Sequence, residues 1–206
     1  MKTHLKKIIL MAAIGAGLAV LGAWAYVWFD KTAVAPSVLS VQAENFGGPF
    51  SLTDHNGKPV TDRDFSGQYR LIYFGFTFCP AICPTELQKI SGALDLLGER
   101  SKKIRPLFIT VDPERDTADV MKNYVRLFHP DLVGLTGTAA QIEAVKKSYK
   151  VYSKKVRDPD MNDYTVDHSS FIYFMDPEDR LLSIFTTKDT SGTIAGTVGK
   201  WLDQSR

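Results

Sequence analysis

The sequence predicts an α/β domain built on a parallel sheet, carried behind one apolar helix. Three observations predict it. From Tyr69 onward, apolar runs of strand length alternate with segments of helical period, the order expected when helices connect parallel strands. Near the end two strand-like runs, "SFIYFM" and "LLSIFT", follow one another across the turn "DPEDR" and precede a last helix. At the other end, the 22 residues from Ile8 to Phe29 hold no charged side chain.

As a helix, the stretch Ile8 to Phe29 is about 33 Å long at ~1.5 Å per residue, against ~30 Å of bilayer hydrocarbon. Lys2, Lys6 and Lys7 precede it, Asp30 and Lys31 follow it, and Trp24, Tyr26 and Trp28 sit near its outer end. The positive-inside rule then places the N-terminus in the cytoplasm and the remainder outside. Ala23-Trp24-Ala25 offers a small-x-small cleavage site, but the run exceeds the roughly 7–15 residues of a signal-peptide core, which favours an uncleaved anchor. No Arg- and Ser-rich transit segment is present, which favours a bacterial inner membrane with the domain in the periplasm. Residues 1–29 are thus read as a cytoplasmic tip and transmembrane anchor, residues 30–46 (polar, with Pro36 and no period) as a linker, and residues 47–206 as the folded domain. At 44% hydrophobic and 23% charged residues the chain can form an ordinary core, and a net charge of +2 leaves no basic face for nucleic acid.

Within the domain, Phe50 to Thr61 reads as a hairpin on the turn pair Asn56-Gly57. Tyr69 to Phe76 is a continuous apolar run suited to a buried strand. From Pro84 to about Glu99, Leu87, Ile90, Leu94 and Leu97 recur at helical spacing, and Pro84 suits a first turn. Ile104 to Val111 is the next strand, followed by a helix from Thr117 to Phe128 with Val120, Tyr124, Val125 and Phe128 on one face. "LVGLTG" is a short strand, and Thr138-x-x-Gln141 is a capping box opening a helix to about Tyr149. Residues 151–167 are polar and read as irregular. Ser170 to Met175 and Leu181 to Thr186 close the pattern as strands, with a helix from about Gly192 to Leu202. This order is the thioredoxin-like arrangement with an N-terminal β-hairpin added.

Cys79 and Cys83, the two cysteines, follow the first core strand at the carboxyl edge of the sheet, where α/β folds place ligands. In an exported domain two cysteines are by default a disulfide. On a helix, however, positions i and i+4 hold Cβ atoms about 5–6 Å apart, whereas a disulfide wants ~3.8 Å, so a bridge needs Cys79 in a distorted turn. Two thiolates about 4 Å apart around one ion are easier to form, and a helix N-terminus favours thiolate. Spacing alone leaves a structural disulfide, a redox couple and a metal pair open. A third donor sharpens the choice. His4 lies on the cytoplasmic side, His55 in a hairpin turn where it reads as solvated, and His129 at a helix C-terminus before Pro130. His168 falls where a thioredoxin-like sheet brings a strand's start beside the first helix, so it can approach both cysteines. Two thiolates and an imidazole suit copper. Zinc would want a fourth protein ligand, for which Met161 is only a weak candidate.

"YFGFTFCPAICPTEL", "FITVDPERDT" and "DYTVDHSSFIYFMDPEDR" resemble the three motif regions of the Sco/SenC family, over roughly residues 45–206 plus a membrane anchor. The resemblance implies a thioredoxin-like fold and copper held by Cys79, Cys83 and His168. It implies a metallochaperone rather than an enzyme, delivering copper to, or preparing, the CuA centre of cytochrome c oxidase subunit II, and leaves room for a periplasmic copper donor. The alternative is a thiol-disulfide oxidoreductase that keeps the CuA-site cysteines reduced, with Cys79 and Cys83 as its redox pair. Against it, thioredoxins resemble one another in Cys-x-x-Cys spacing and a cis-proline, where this chain has an extra residue and His168-Ser169. A peroxidase fits least, since no Pro-x-x-x-Thr-x-x-Cys pattern precedes Cys79. Two positions depart from the family's pattern. Ala81 stands where Asp is common, and Asp179 where the turn commonly reads Pro-x-Gly, a place an Asp tolerates in the left-handed conformation. In the second motif, Asp112 and Asp116 are candidates for orienting the ligands or recognising a partner, while Asp116 could instead cap the helix beginning at Thr117. Asp167, beside His168, is either an orienting residue of the ligand loop or a solvated side chain.

Overall fold

A computed structural model describes residues 46–157 and 163–204, together with Gly17 and Trp24. The chain divides into two units, 1–41 and 42–206, and the second holds the sheet. No helix among the described residues is long and apolar enough to cross a membrane. The expected anchor and linker lie outside them, apart from Gly17 and Trp24, which are helical, and Phe46.

In chain order the domain comprises β1 (Ser51–Asp54), β2 (Pro59–Thr61), β3 (Tyr69–Gly75), α1 (Ile82–Leu97), β4 (Ile104–Thr110) and α2 (Ala118–Val125). Then come β5 (Val133–Thr136), α3 (Ala139–Ser148), β6 (Ser153–Arg157), β7 (Tyr164–His168), β8 (Ile172–Met175), β9 (Leu181–Phe185) and α4 (Ser191–Gln204). Seven strands form one sheet in the order β2-β1-β5-β4-β3-β8-β9. The central β5, β4 and β3 are parallel; β8 pairs antiparallel with β3, β9 pairs antiparallel with β8, and β1 joins the β5 edge antiparallel. The thioredoxin-like arrangement expected from the sequence is therefore present, and the N-terminal hairpin widens its sheet.

The central strand explains its own sequence. β3 lies between β4 and β8, all seven of its residues are buried, and past Arg70 its apolar run from Leu71 to Phe74 is unbroken rather than alternating. α1 packs on β3 and α4. Its inner stripe is Cys83, Leu87, Ile90, Leu94 and Leu97, none more than 4% exposed. Each leucine or isoleucine buried there contributes about 1.5–3 kcal/mol. Cys83 is the first member of this stripe, so the packing of the helix carries its sulfur into the core.

Several local expectations shift. α1 begins at Ile82 rather than Pro84, which still occupies the first turn, where no N–H is required of it. Cys79 consequently lies in the turn before the helix, and the helical i, i+4 separation invoked against close sulfurs does not apply to it. α2 stops at Val125, with Thr117 as its N-cap accepting from the Val120 N–H. That start turns Met121 and Val125 inward and leaves Val120 39% exposed, contrary to the expected face. The Thr138–Gln141 capping box forms as expected. His55 is structural rather than simply solvated: its N–H donates to the Gly134 carbonyl at 2.8 Å, and its Nδ1 accepts the Gly134 N–H at 3.1 Å, fastening the hairpin to β5. Asp179 adopts the left-handed conformation, φ +67°, and pairs with Arg70, a fully buried guanidinium that also donates to the Asp176 carbonyl at 2.9 Å.

The largest difference concerns the stretch read as irregular. Residues 153–157 and 164–168 form an antiparallel ribbon, β6 with β7, separate from the main sheet. Met161 lies outside the described residues. His168 is the last residue of β7, paired with Ser153.

Candidate metal centre

The cysteine turn leaves β3 at Gly75. A Cβ at that position would stand 2.8 Å from Cys83 Sγ, 2.9 Å from Tyr73 Cε1 and 3.0 Å from Phe108 Cε2, so only glycine lets the strand pass this close to the sulfur. The chain then turns through Thr77, Phe78 and Cys79, with the Cys79 N–H donating to the Phe76 carbonyl at 3.3 Å, and enters α1. Ala81 is the N-cap of α1 and contributes no side-chain acceptor. Cys79 fills that gap: its Sγ accepts the backbone N–H of Cys83 at 3.4 Å, within the first turn, where helices leave N–H groups unpaired.

Both cysteines are free thiols, Cys83 fully buried and Cys79 half-buried. His168 Nε2 lies 3.4 Å from Cys83 Sγ. Its Nδ1 is 3.0 Å from the Ser169 carbonyl. A carbonyl can only accept, so this contact puts a proton on Nδ1 and turns Nε2 toward the sulfur. The imidazole is walled by Phe76 and Tyr73, edge-on at 5.7 Å and 6.2 Å between ring centroids. The Tyr73 hydroxyl donates to Cys83 Sγ at 3.7 Å.

The two thiols share their protons unequally. Hydrogen bonding from the Cys83 side chain, and after it from His168 and the Cys83 backbone N–H, pushes Cys79 down to about 3 against the opposing effect of burial. The bond between the two side chains, followed by burial, pushes Cys83 up. Among the described residues no group of three or more His, Cys, Asp or Glu side chains forms a ready-made metal cluster. Cys83 Sγ instead faces His168 Nε2, and Cys79 Sγ takes the Cys83 backbone N–H. Two sulfurs and one imidazole nitrogen form a soft donor set, which fits copper better than a hard cation.

The aspartates divide. Asp116 is fully buried and accepts from the Thr77 N–H (3.1 Å), the Thr77 hydroxyl (2.5 Å) and the Thr110 hydroxyl (2.6 Å), so it ties the cysteine turn to the end of β4. Capping α2 is the task of Thr117, not of Asp116. Burial pushes the Asp116 carboxyl above its usual range. Asp112, also fully buried, accepts from Arg115 Nε at 2.5 Å and from the Tyr164 hydroxyl at 2.8 Å, and touches neither cysteine nor histidine through a hydrogen bond. Asp167 is exposed, on the face of β7 opposite His168. Reading the sequence missed Gly75, Tyr73 and Arg115. A glycine closing an otherwise apolar strand run just before two cysteines was the available signal for the first.

The chain is similar to known proteins. The model of the SCO1/SenC family matches residues 40–203. Protein sco1 of Schizosaccharomyces pombe is 40% identical over 205 residues, which is 96% of this chain and 76% of that one. The chain spans about half the length of several other curated relatives, between 46% and 54%. The crystal structure of Arabidopsis thaliana ScoI with copper bound superposes with a TM-score of 0.73 at 43% identity, covering 77% of this chain and 99% of that one. The copper-bound structure of Bradyrhizobium japonicum ScoI gives 0.70 at 48% identity, covering 76% and 99%. With the family model spanning nearly the whole folded domain and the thiol–imidazole site at the expected sheet edge, the chain belongs to the SCO1/SenC family.

Proposed function

We propose that the chain is a copper-carrying protein of cytochrome c oxidase assembly, in which Cys79, Cys83 and His168 hold the ion. The observation that carries this reading is the convergence of two reduced sulfurs and an imidazole, with Cys83 Sγ and His168 Nε2 3.4 Å apart. Copper here is cargo. Soft thiolates favour Cu(I), and through the half-buried Cys79 a competing ligand from an acceptor would reach the ion. The acceptor proposed is the CuA centre of subunit II, with a periplasmic protein as donor. The apolar run Ile8 to Phe29 would hold the domain at the outer face of a bacterial inner membrane. Copper-bound relatives support the reading, and one solved neighbour at 25% identity is described as a member of the Sco family of cytochrome c oxidase assembly proteins.

The test is copper titration of the reduced chain against a competing chelator, alongside Cys79→Ala, Cys83→Ala and His168→Ala. Each variant should bind more weakly and with an altered spectrum. Equal affinity and identical spectra in the wild type and His168→Ala would sink the assignment.

A second reading, thiol-disulfide exchange on the CuA cysteines, is favoured by the asymmetry of the pair: a half-exposed Cys79 placed to attack and a buried Cys83 placed to resolve. Rapid reductase turnover by metal-free protein, lost in Cys83→Ala, would support it.

A further inference from the structure

Apolar burial holds the ribbon that carries His168 only at Val166 and, in part, at Tyr164. The ribbon adds no strand to the main sheet, and Val166 is the only buried residue in its two strands. What meets it is the second motif. Arg115, only 16% exposed, donates from Nε to Asp112 at 2.5 Å and from Nη1 to the Tyr164 carbonyl at 2.9 Å, with Asp163 Oδ2 at 3.3 Å. Its guanidinium carbon lies 3.8 Å from the Tyr164 ring centroid, 4.8 Å from Phe78 and 5.9 Å from Phe76. The Tyr164 hydroxyl closes the cycle on Asp112, and Lys155 of β6 reaches both Glu114 (2.5 Å) and the Tyr164 ring (4.5 Å). Phe78 precedes Cys79, Phe76 packs edge-on against His168, and Tyr164 and His168 share one face of β7. One guanidinium therefore touches the cysteine turn, the β4–α2 turn and the ribbon.

We propose that Arg115 is a positioning residue for the metal centre: with Asp112 and Tyr164 it latches the β6–β7 ribbon to the cysteine turn and so sets His168 Nε2 against the sulfurs. Arginine suits this because a planar fork serves Asp112 and the Tyr164 carbonyl at once while stacking on the rings, which an ammonium does not. Partial burial strengthens the ring contacts relative to an exposed pair. The inference rests on the copper reading above for its consequence, but the latch itself has a signature in metal-free protein.

The experiment uses the reduced, detergent-solubilised full chain and the variants Arg115→Met, Arg115→Lys, Tyr164→Phe, His168→Ala and Arg115→Met/His168→Ala. Cu(I) affinity, the Cu(II) absorption spectrum and amide hydrogen exchange of metal-free protein are measured. Arg115→Met should weaken copper binding by about 10–100-fold, the range for groups that orient a ligand. Its spectrum should move toward that of His168→Ala. Arg115→Lys should recover part of the loss. The double variant should bind no more weakly than His168→Ala, because the arginine acts through the histidine. Exchange in residues 153–168 should rise about tenfold or more while α1, β3 and β4 stay protected. Should Arg115→Met fail to fold, Tyr164→Phe reads the same cycle through loss of one hydroxyl. Wild-type exchange of the ribbon in Arg115→Met, or copper losses that add in the double variant, overturns the latch. An unaltered His168→Ala would instead defeat the copper reading, and the exchange data would still decide the latch.

Discussion

Replacing Gly75 with alanine measures how tightly the fold is built around one sulfur. The added methyl would lie 2.8 Å from Cys83 Sγ, and reaching even 3.4 Å, where ordinary contact begins, needs a shift of about 0.6 Å. Nothing nearby can yield freely, since Cys83, Tyr73 and Phe108 are all fully buried. Overpacking of this kind costs about 1–3 kcal/mol. Removing a glycine from the unfolded ensemble returns about 0.4–1 kcal/mol. The net expectation is a loss of roughly 1–2 kcal/mol, or about 2–8 °C in Tm for a domain of this size. Thermal unfolding of reduced, metal-free protein followed by circular dichroism is the assay, with Gly75→Ala made alone and in Cys83→Ala. Deleting the sulfur clears the nearest clash and leaves those with Tyr73 and Phe108, so the loss should fall to roughly half in that background. An equal loss in both backgrounds, or none in either, would refute the claim that the sulfur dictates glycine here.

Other outcomes follow from the same contacts. Iodoacetamide should modify Cys79 in preference to the buried Cys83, at a rate nearly flat from about pH 5 to 8, because Cys79 is lowered to about 3. A rate rising tenfold per pH unit, read by peptide mass spectrometry, would contradict the shared proton. Asp116→Ala strands the Thr77 and Thr110 donors and should cost roughly 2–3 kcal/mol by urea denaturation. Since the Asp116 carboxyl is raised by burial, its stabilising contribution is full below the unfolded carboxyl range and declines as pH rises through the folded value. The advantage of wild type over Asp116→Asn should therefore be largest in acid and shrink toward neutrality. Ala81→Asp supplies the missing N-cap acceptor of α1 and should add about 0.5–1 kcal/mol of stability while slowing Cys79 alkylation at pH 5, because the carboxylate competes for the helix N–H groups and repels the thiolate.

What the sequence conveyed, and what it withheld, follows the kind of force involved. β3 was legible because burial on both faces leaves an unbroken apolar run, and α1 because burial of one face imposes a helical period. His168 was legible because the topology places the start of β8 beside α1. The β6–β7 ribbon was not, since "SKKVR" and "DYTVDH" bury almost nothing and their order comes from a guanidinium among aromatic rings, which leaves no periodic trace. Helix boundaries moved for a related reason. The turn at Cys79 is organised by a sulfur accepting the Cys83 N–H, an uncommon cap, and the choice between Asp116 and Thr117 as the cap of α2 is settled by what else is buried near Asp116. Tyr73 and Gly75 passed as ordinary members of an apolar run, because their roles depend on a residue elsewhere in the chain.

The separation of the donors along the chain sets how metal and folding depend on each other. Cys79 and Cys83 are four positions apart, whereas His168 lies 85 positions beyond Cys83. An unfolded chain can already offer both sulfurs to one ion, and any affinity of the unfolded state subtracts from the stability a ligand confers. Recruiting the histidine across that interval carries an extra loop-closure entropy of roughly 2.7 kcal/mol, which the native fold has met before the ion arrives. Copper held in this way would raise the melting temperature by less than its affinity implies. The part of its binding energy that reports on folding is the part supplied by the histidine.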